Sequence, residues 1–264
     1  MAVHFIGAGQ MSEAIIRALI AKGTYDSQAI SISDIDADRV ALLNERYALD
    51  ARSRDETLPE ADLVVIGVRP QDDLIGVTKL ISAQAAPEAV AVSIVAGVTI
   101  DRWNSLLEGP RAVVRIIPNT LTDTGLGYSA AVLNEYAREE QVDAFINGFG
   151  KVVYIDEALI DAFTGVAVAG PNYIYYFYES MVDAGVLAGL PRELVKQAVL
   201  ENLVGAAKML TLSGKHPRQL LDINNSPAGV GMHGLYELNN SDFAAGLQRS
   251  VLAAVKRTTE LAGK

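Results

Sequence analysis

The 264-residue chain contains no cysteine. That excludes a disulfide framework, a thiolate nucleophile and any cysteine-ligated metal, and it suits a reducing cytoplasm. Histidine is almost as scarce. His4, His216 and His233 are the three, too scattered along the chain to suggest a zinc site, and no bound metal is expected. Basic residues are outnumbered, 22 against 32 acidic, for a formal net charge of −10. Such a chain repels a phosphate backbone, so nucleic acid is not an expected partner. The longest uncharged stretch, Ala162 to Tyr178, is interrupted by Gly165, Gly170 and Pro171, and no basic segment precedes the first strand, so neither a signal peptide nor a membrane span is expected. Also missing are an H-E-x-x-H run, a G-x-S-x-G elbow and a G-x-x-x-x-G-K-S/T loop, which leaves zinc hydrolysis, serine hydrolysis and phosphate-loop chemistry without a motif.

What is present is apolar and ordered. Half of the residues are hydrophobic, enough to bury a full core in two modest domains or one large one. The chain opens with an apolar run, then two glycines one residue apart, then apolar positions at helical spacing: His4-Phe5-Ile6-Gly7-Ala8-Gly9-Gln10-Met11-Ser12, continuing through Ile15, Ile16 and Leu19. Strand, turn and helix in that order form a dinucleotide-binding unit. Gly7 allows the tight turn, and Gly9 lacks the Cβ that would hold a pyrophosphate away from the backbone N–H groups at the helix start. Ser12, at the third glycine position, is small enough for helix to pack closely on strand. The alternative is a tight turn with no ligand.

Gly23 sits where a helix ends, and Ala29 to Ser33 alternates as a second strand leading to Asp34. An acid there is the usual partner of the adenine ribose hydroxyls and repels the extra phosphate of NADP, so Asp34 leans the cofactor, NADPH or NADH, toward NADH. Alternatively, Asp34 caps the helix expected over Asp36 to Tyr47. Ala61 to Val68 reads as a strand buried on both faces that stops at Arg69-Pro70. Val90 to Val95, followed by Ala96-Gly97 and a helix from about Asp101, and Arg111 to Ile117, followed by Pro118-Asn119-Thr120, read alike. Ligands of such sheets lie beyond these strand ends. Two last strands are expected at Gly127 to Leu133 and Lys151 to Ile155. The carboxylate pairs Asp72-Asp73 and Glu139-Glu140 are most simply solvated faces. The fold class is therefore α/β: a Rossmann-type dinucleotide-binding domain over residues 1–156, then an all-helical domain over 157–264.

In the second half, Asn172 to Leu187 is apolar all round, so that helix should be buried on most faces, in the core or against a partner subunit. Pro191 opens the next helix, with Leu194, Val195, Ala198, Val199, Leu203 and Ala206 on one side. Ser241 or Asp242 starts the last. One loop is out of character, Asn224-Asn225-Ser226-Pro227-Ala228-Gly229-Val230-Gly231-Met232-His233-Gly234. It either turns a corner between helices or forms, with successive backbone N–H groups, an anion nest for a small carboxylate.

Over essentially its whole length the chain resembles the pyrroline-5-carboxylate reductase family. The residues that carry the resemblance are Gly7-Ala8-Gly9-Gln10-Met11, Val68-Arg69-Pro70, Ser93 to Thr99, Arg115 to Thr120, Pro171-Asn172-Tyr173, Asp183 to Leu187, Gly189-Leu190-Pro191-Arg192, Ala206 to Met209 and Ser226-Pro227. The resemblance implies hydride transfer from a nicotinamide to the C=N carbon of a cyclic imine carboxylate, with helical domains of two subunits interleaved in a homodimer or larger homo-oligomer. It places the cofactor on Gly7, Gly9, Gln10, Met11, Asp34, Val68, Arg69, Pro70 and Ala96. It implies that the backbone amides of Val230 and Gly231 bind the substrate carboxylate, with Ser226 supporting the turn.

The chain departs from the family pattern near that carboxylate. Two threonines usually follow the paired glycines of the loop, the second offering a hydroxyl to the ring nitrogen; here Val230 and Gly231 stand in their places. Arg69 replaces a lysine, and the run before Pro171 reads Ala167-Val168-Ala169-Gly170. His233, Tyr173 or a water are candidates to meet the ring nitrogen, although a histidine beside a glycine turn or a tyrosine in an apolar helix is more often packed than catalytic. Two readings remain: a working imine reductase, and a non-catalytic dinucleotide-binding paralogue with a regulatory or scaffold role. A hydroxyacid dehydrogenase is disfavoured by the blocks of the helical half.

Overall fold

A computed structural model describes residues 1–261. The first half alternates strands and helices: β1 (Val3–Ile6), α1 (Gln10–Ala21), β2 (Ile30–Ser33), α2 (Ala37–Tyr47), α3 (Arg54–Thr57), β3 (Leu63–Ile66), α4 (Leu74–Gln84), β4 (Val90–Ser93), α5 (Ile100–Leu106), β5 (Val113–Ile117), β6 (Gly127–Leu133), α6 (Asp143–Gly148) and β7 (Gly150–Tyr154). The strands form one sheet in the order β2-β1-β3-β4-β5-β6-β7. Every pairing is parallel except β5 with β6. The expected strands are present, with ends that differ from the expected ones by at most two residues.

Central strands with helices on both faces must bury side chains of either parity, and they do. Phe5 and Val65 point into one core with Ile15, Ile16, Phe145 and Phe149. Ile6, Val64 and Ile66 point into the other with Ile81 and Trp103. The strand order reverses around β1, with β2 on one side and β3 on the other, and a crevice opens outside the carboxyl ends at such a point.

The rest of the chain is helical: α7 (Ile160–Phe163), a five-residue π-helical turn (Thr164–Val168), α8 (Gly170–Leu187), α9 (Arg192–Leu212), α10 (Pro217–Asn224), α11 (Val230–Asn240) and α12 (Phe243–Leu261). By compactness one unit is Met1–Ala169 with residues 254–261, and the other is Gly170–Ala253. The sequence boundary after Asp156 marks where strand character ends. Glu157 explains why the short helices stay with the sheet, because its Oε1 accepts hydrogen bonds from Ile100 N at 2.8 Å and from the buried Arg115 Nη1 at 2.7 Å.

Unit 170–253 has little core of its own. Val182, Val195 and Val199 are buried, flanked by Tyr178 and Leu203. Gly185 is required there, since a Cβ on it would lie 2.5 Å from Val195 Cγ1. Of the two alternatives for α8, burial in the core of the single chain is not what the structure shows: only Pro171 and Val182 of that helix are buried. Ile174, Tyr176 and Leu187 are 52%, 78% and 89% exposed. Pro191 precedes α9 as its cap instead of occupying its first turn. No helix among the described residues is long and apolar enough to cross a membrane.

Candidate active site

The turn after β1 is shaped by two glycines that act differently. Gly7 has φ +104°, and a Cβ on it would lie 2.7 Å from the carbonyl carbon and oxygen of Gly67. The backbone crossing at the end of β3 thus demands glycine at 7 for both conformation and space. Gly9 has an ordinary φ of −68°, and a Cβ there would meet nothing nearer than Gly67 O at 4.0 Å. Its missing Cβ leaves an open cradle instead of relieving a clash. The first helical hydrogen bond of α1 runs from Glu13 N to Gly9 O at 3.0 Å, so the N–H groups of Gln10, Met11 and Ser12 have no partner within the helix. Ser12 is buried, and a Cβ on Gly67 would collide with its Oγ.

Asp34 follows β2 and faces this turn. Its Oδ2 accepts from Ala8 N at 2.6 Å and its Oδ1 from Asp36 N at 3.0 Å. The cap of α2 belongs to Asp36, which accepts from Arg39 N at 3.0 Å, so capping does not account for Asp34. Arg39 Nε in turn donates to Ala8 O at 2.9 Å and its Nη2 pairs with Glu13. Burial alone would raise the Glu13 carboxyl. Hydrogen bonds from Arg39, Tyr47 and Arg46 outweigh that and lower its pKa to about 2.

A cavity of about 620 Å³ spans the carboxyl ends of β1, β2 and β3. Of the residues expected at a cofactor, Gly7, Gly9, Asp34, Val68 and Arg69 line it. Gln10 and Met11 begin the adjoining helix, Pro70 follows Arg69, and Ala96 is exposed beyond β4; these four are not in its wall. Sequence reasoning missed Arg54, Gly67, Asp72, Asp73 and Gly76, which line it as well. Gly67 was findable as a glycine ending an apolar strand. Arg54 and Gly76 come from elements whose approach only folding brings about. Asp72 and Asp73 do face solvent, Asp73 exposed and Asp72 half-buried, but they also shape the wall: Asp72 accepts from Arg69 N at 2.8 Å and from Arg69 Nη2 at 2.9 Å, and Asp73 caps α4 through Gly76 N at 2.9 Å. Both arginines of the wall already hold a carboxylate, Arg69 that of Asp72 and Arg54 that of Asp55.

These features fit a dinucleotide: an open cradle at a helix start for the pyrophosphate, a carboxylate at the strand end for the ribose, and no side chain filling the space between. Farther along the sheet, Ser93 Oγ accepts from Val95 N at 3.2 Å, shaping the turn to Ala96. The buried Asn119 donates from Nδ2 to Ala167 O, in the π-helical turn, at 3.1 Å. The described residues contain no cluster of side chains suited to a metal ion.

In unit 170–253 the loop of glycines turns out to be short and to lead into a helix. Gly229 N donates to Ser226 O at 2.9 Å, Gly229 precedes α11, and no side chain caps that helix. The first backbone bond back into the turn is His233 N to Gly229 O, at 3.3 Å. Val230, Gly231 and Met232 therefore present unspent N–H groups, and Val230 is 93% exposed. Ala228 holds φ +59°, a left-handed turn residue without glycine's freedom. His233 is exposed on α11, and the Tyr173 hydroxyl donates to Ser250 O at 3.4 Å.

Comparison with known proteins gives the same picture from end to end. Residues 157–261 match the family described as "Pyrroline-5-carboxylate reductase dimerisation", and residues 2–97 match "NADP oxidoreductase coenzyme F420-dependent". A pyrroline-5-carboxylate reductase of Arabidopsis thaliana is 35% identical, with 98% of this chain and 95% of the relative covered. The chain belongs to the pyrroline-5-carboxylate reductase family. Among solved structures, a Plasmodium falciparum pyrroline carboxylate reductase with NADP bound superposes with a TM-score of 0.85 at 26% identity, over 99% of this chain and 98% of that one. The reductase of Streptococcus pyogenes gives 0.85 at 26%, over 98% of each. Family membership joins the Rossmann-type half and the helical half in one nicotinamide-dependent reductase architecture.

Proposed function

We propose that this chain reduces 1-pyrroline-5-carboxylate to proline with NADH or NADPH, as a homodimer in the cytoplasm. The observation that carries the reading is the open cradle at Gly9 beside Asp34, in a chain that aligns with these reductases throughout. When bound, the dihydronicotinamide supplies a hydride to the imine carbon, the C=N π pair becomes the lone pair of a nitrogen that already carries a proton, and a secondary amine results.

The chain's own part is to bind and orient. Gln10 and Met11 N–H groups face the pyrophosphate, and Asp34 takes the ribose hydroxyls. Val68, Arg69, Pro70 and Ala96 border the strand ends where the nicotinamide half lies. The substrate carboxylate rests on the N–H groups of Val230 and Gly231, with Ser226 holding the turn. A carboxylate at 34 and arginines that already carry partners favour NADH.

Steady-state oxidation of NADH and NADPH with pyrroline-5-carboxylate tests the proposal. Turnover is expected with either, at higher kcat/KM for NADH. Cofactor binding without turnover would replace this reading by the non-catalytic paralogue. Val230→Pro tests the carboxylate turn. Proline is tolerated at the first helical position and removes only the N–H, so KM for the imine should rise about tenfold or more while the fold persists.

A further inference from the structure

We infer that the Asn225 carboxamide oxygen receives the N–H of the substrate's protonated ring nitrogen, in the space that a side chain at position 231 would otherwise fill. This rests on the reading of Ser226 to Gly231 as the carboxylate turn. Asn225 is half-buried just after α10, and its Nδ2 donates to Leu221 O at 2.6 Å. A carbonyl oxygen only accepts, so that bond determines which end of the amide points away. Oδ1 is thereby turned toward Gly231, where a Cβ would collide with it. Among the described residues Oδ1 accepts no hydrogen bond.

One acceptor thus stands beside a row of free donors. A carboxylate satisfies the donors but gains nothing from Oδ1, since acceptor faces acceptor. An N–H one bond beyond the carbon bearing the carboxylate satisfies both. A protonated cyclic imine carboxylate carries that pair, and so does the cyclic amine formed from it. A neutral imine would turn its lone pair on Oδ1 and be repelled, so the contact selects the protonated form, whose carbon is the better hydride acceptor. Glycine at 231 is what leaves the carboxamide room, which makes the residue types at 225 and 231 interdependent.

The test compares ligands and variants in the full-length protein. Calorimetry should show L-proline binding to Asn225→Ala about ten- to hundredfold more weakly than to the native chain, the range for a hydrogen bond to a charged group. Cyclopentanecarboxylate, which keeps ring and carboxylate but has no N–H, should bind both proteins equally. In turnover, Asn225→Ala should lose a similar factor in kcat/KM. Gly231→Thr alone should bring no gain, because its side chain displaces the carboxamide. The double variant should recover much of the loss of Asn225→Ala, because its hydroxyl enters the vacated space.

Equal weakening of proline and cyclopentanecarboxylate would reduce Asn225 to shaping the turn and overturn the inference, as would no weakening of either. A gain from Gly231→Thr with Asn225 in place would also overturn it. Those outcomes leave the carboxylate turn standing if Val230→Pro raises KM. If the native chain binds neither ligand, that turn and the role of Asn225 fall together.

Discussion

Ser12 Oγ, on the first helix, occupies the place that a Cβ on Gly67 would need. The hydroxyl is buried and has no hydrogen-bond partner among the described residues, so its role here is to fill space between helix and strand end. Gly67→Ala should destabilise the chain by about 1–3 kcal/mol through overpacking. In a Ser12→Ala background, which deletes the colliding atom, the penalty should shrink by about 1 kcal/mol or more. Urea unfolding midpoints of the two single variants and the double variant measure this; simple additivity would show that the contact does not limit the site.

Asp34 should govern the choice of cofactor. Asp34→Ser removes the charge that opposes a 2′-phosphate and weakens the grip on the ribose hydroxyls. The ratio of kcat/KM for NADPH to that for NADH should rise about ten- to hundredfold, corresponding to about 1.4–2.8 kcal/mol. An unchanged ratio would mean that the carboxylate serves only the backbone N–H groups of Ala8 and Asp36.

Acid should act through two groups in successive windows. His4 is fully buried on β1 among the hydroxyls of Ser31, Ser33 and Thr57. Burial, aided by the charge of Arg54, lowers its pKa from 6.5 to about 4. The unfolded chain takes up this proton first, so stability should fall as pH drops from about 6.5 to 4, by up to about 3 kcal/mol, and level off below. Glu13 acts lower down. Its carboxylate contribution is complete above about 4.5 and is lost as pH falls toward about 2. Chemical denaturation across pH should show the upper step disappear in His4→Gln and the lower one in Glu13→Gln.

Ala228 should be a site of easy stabilisation. At φ +59° an alanine is strained by about 1–2 kcal/mol relative to glycine. Offset in part by the greater freedom of glycine in the unfolded chain, Ala228→Gly should still raise the melting temperature. A decrease would mean that the turn is held by contacts requiring the methyl group.

Much of this protein can be read along the chain because its signals are local. The run into Gly7 and Gly9, the two-face apolar strands at Leu63 and Val90, and the arrest at Arg69-Pro70 each arise from residues adjacent in sequence. Asp34 stands out for the same reason, being the first acid after an alternating strand. Asp72 and Asp73 were opaque because a polar pair looks the same whether it meets water or holds a cavity wall. Asn225 was opaque because its meaning depends on the absence of a Cβ six residues on. The apolar helix at Asn172 was legible as a burying surface, but whether the core or a partner would cover it was not, because apolar residues all round a helix look the same in either case.

By itself the sequence determined the alternation of strand and helix, the glycine turn that opens the site, and the kinship with imine reductases, since periodicity and short motifs are set by near neighbours. The tertiary structure decided which carboxylates were already spoken for, that Gly7 yields to Gly67 while a Cβ on Gly9 would meet only open space, and that the carboxamide of Asn225 fills the gap over Gly231. Those matters turn on distances between residues that only folding brings together, and no local rule of propensity or spacing contains them.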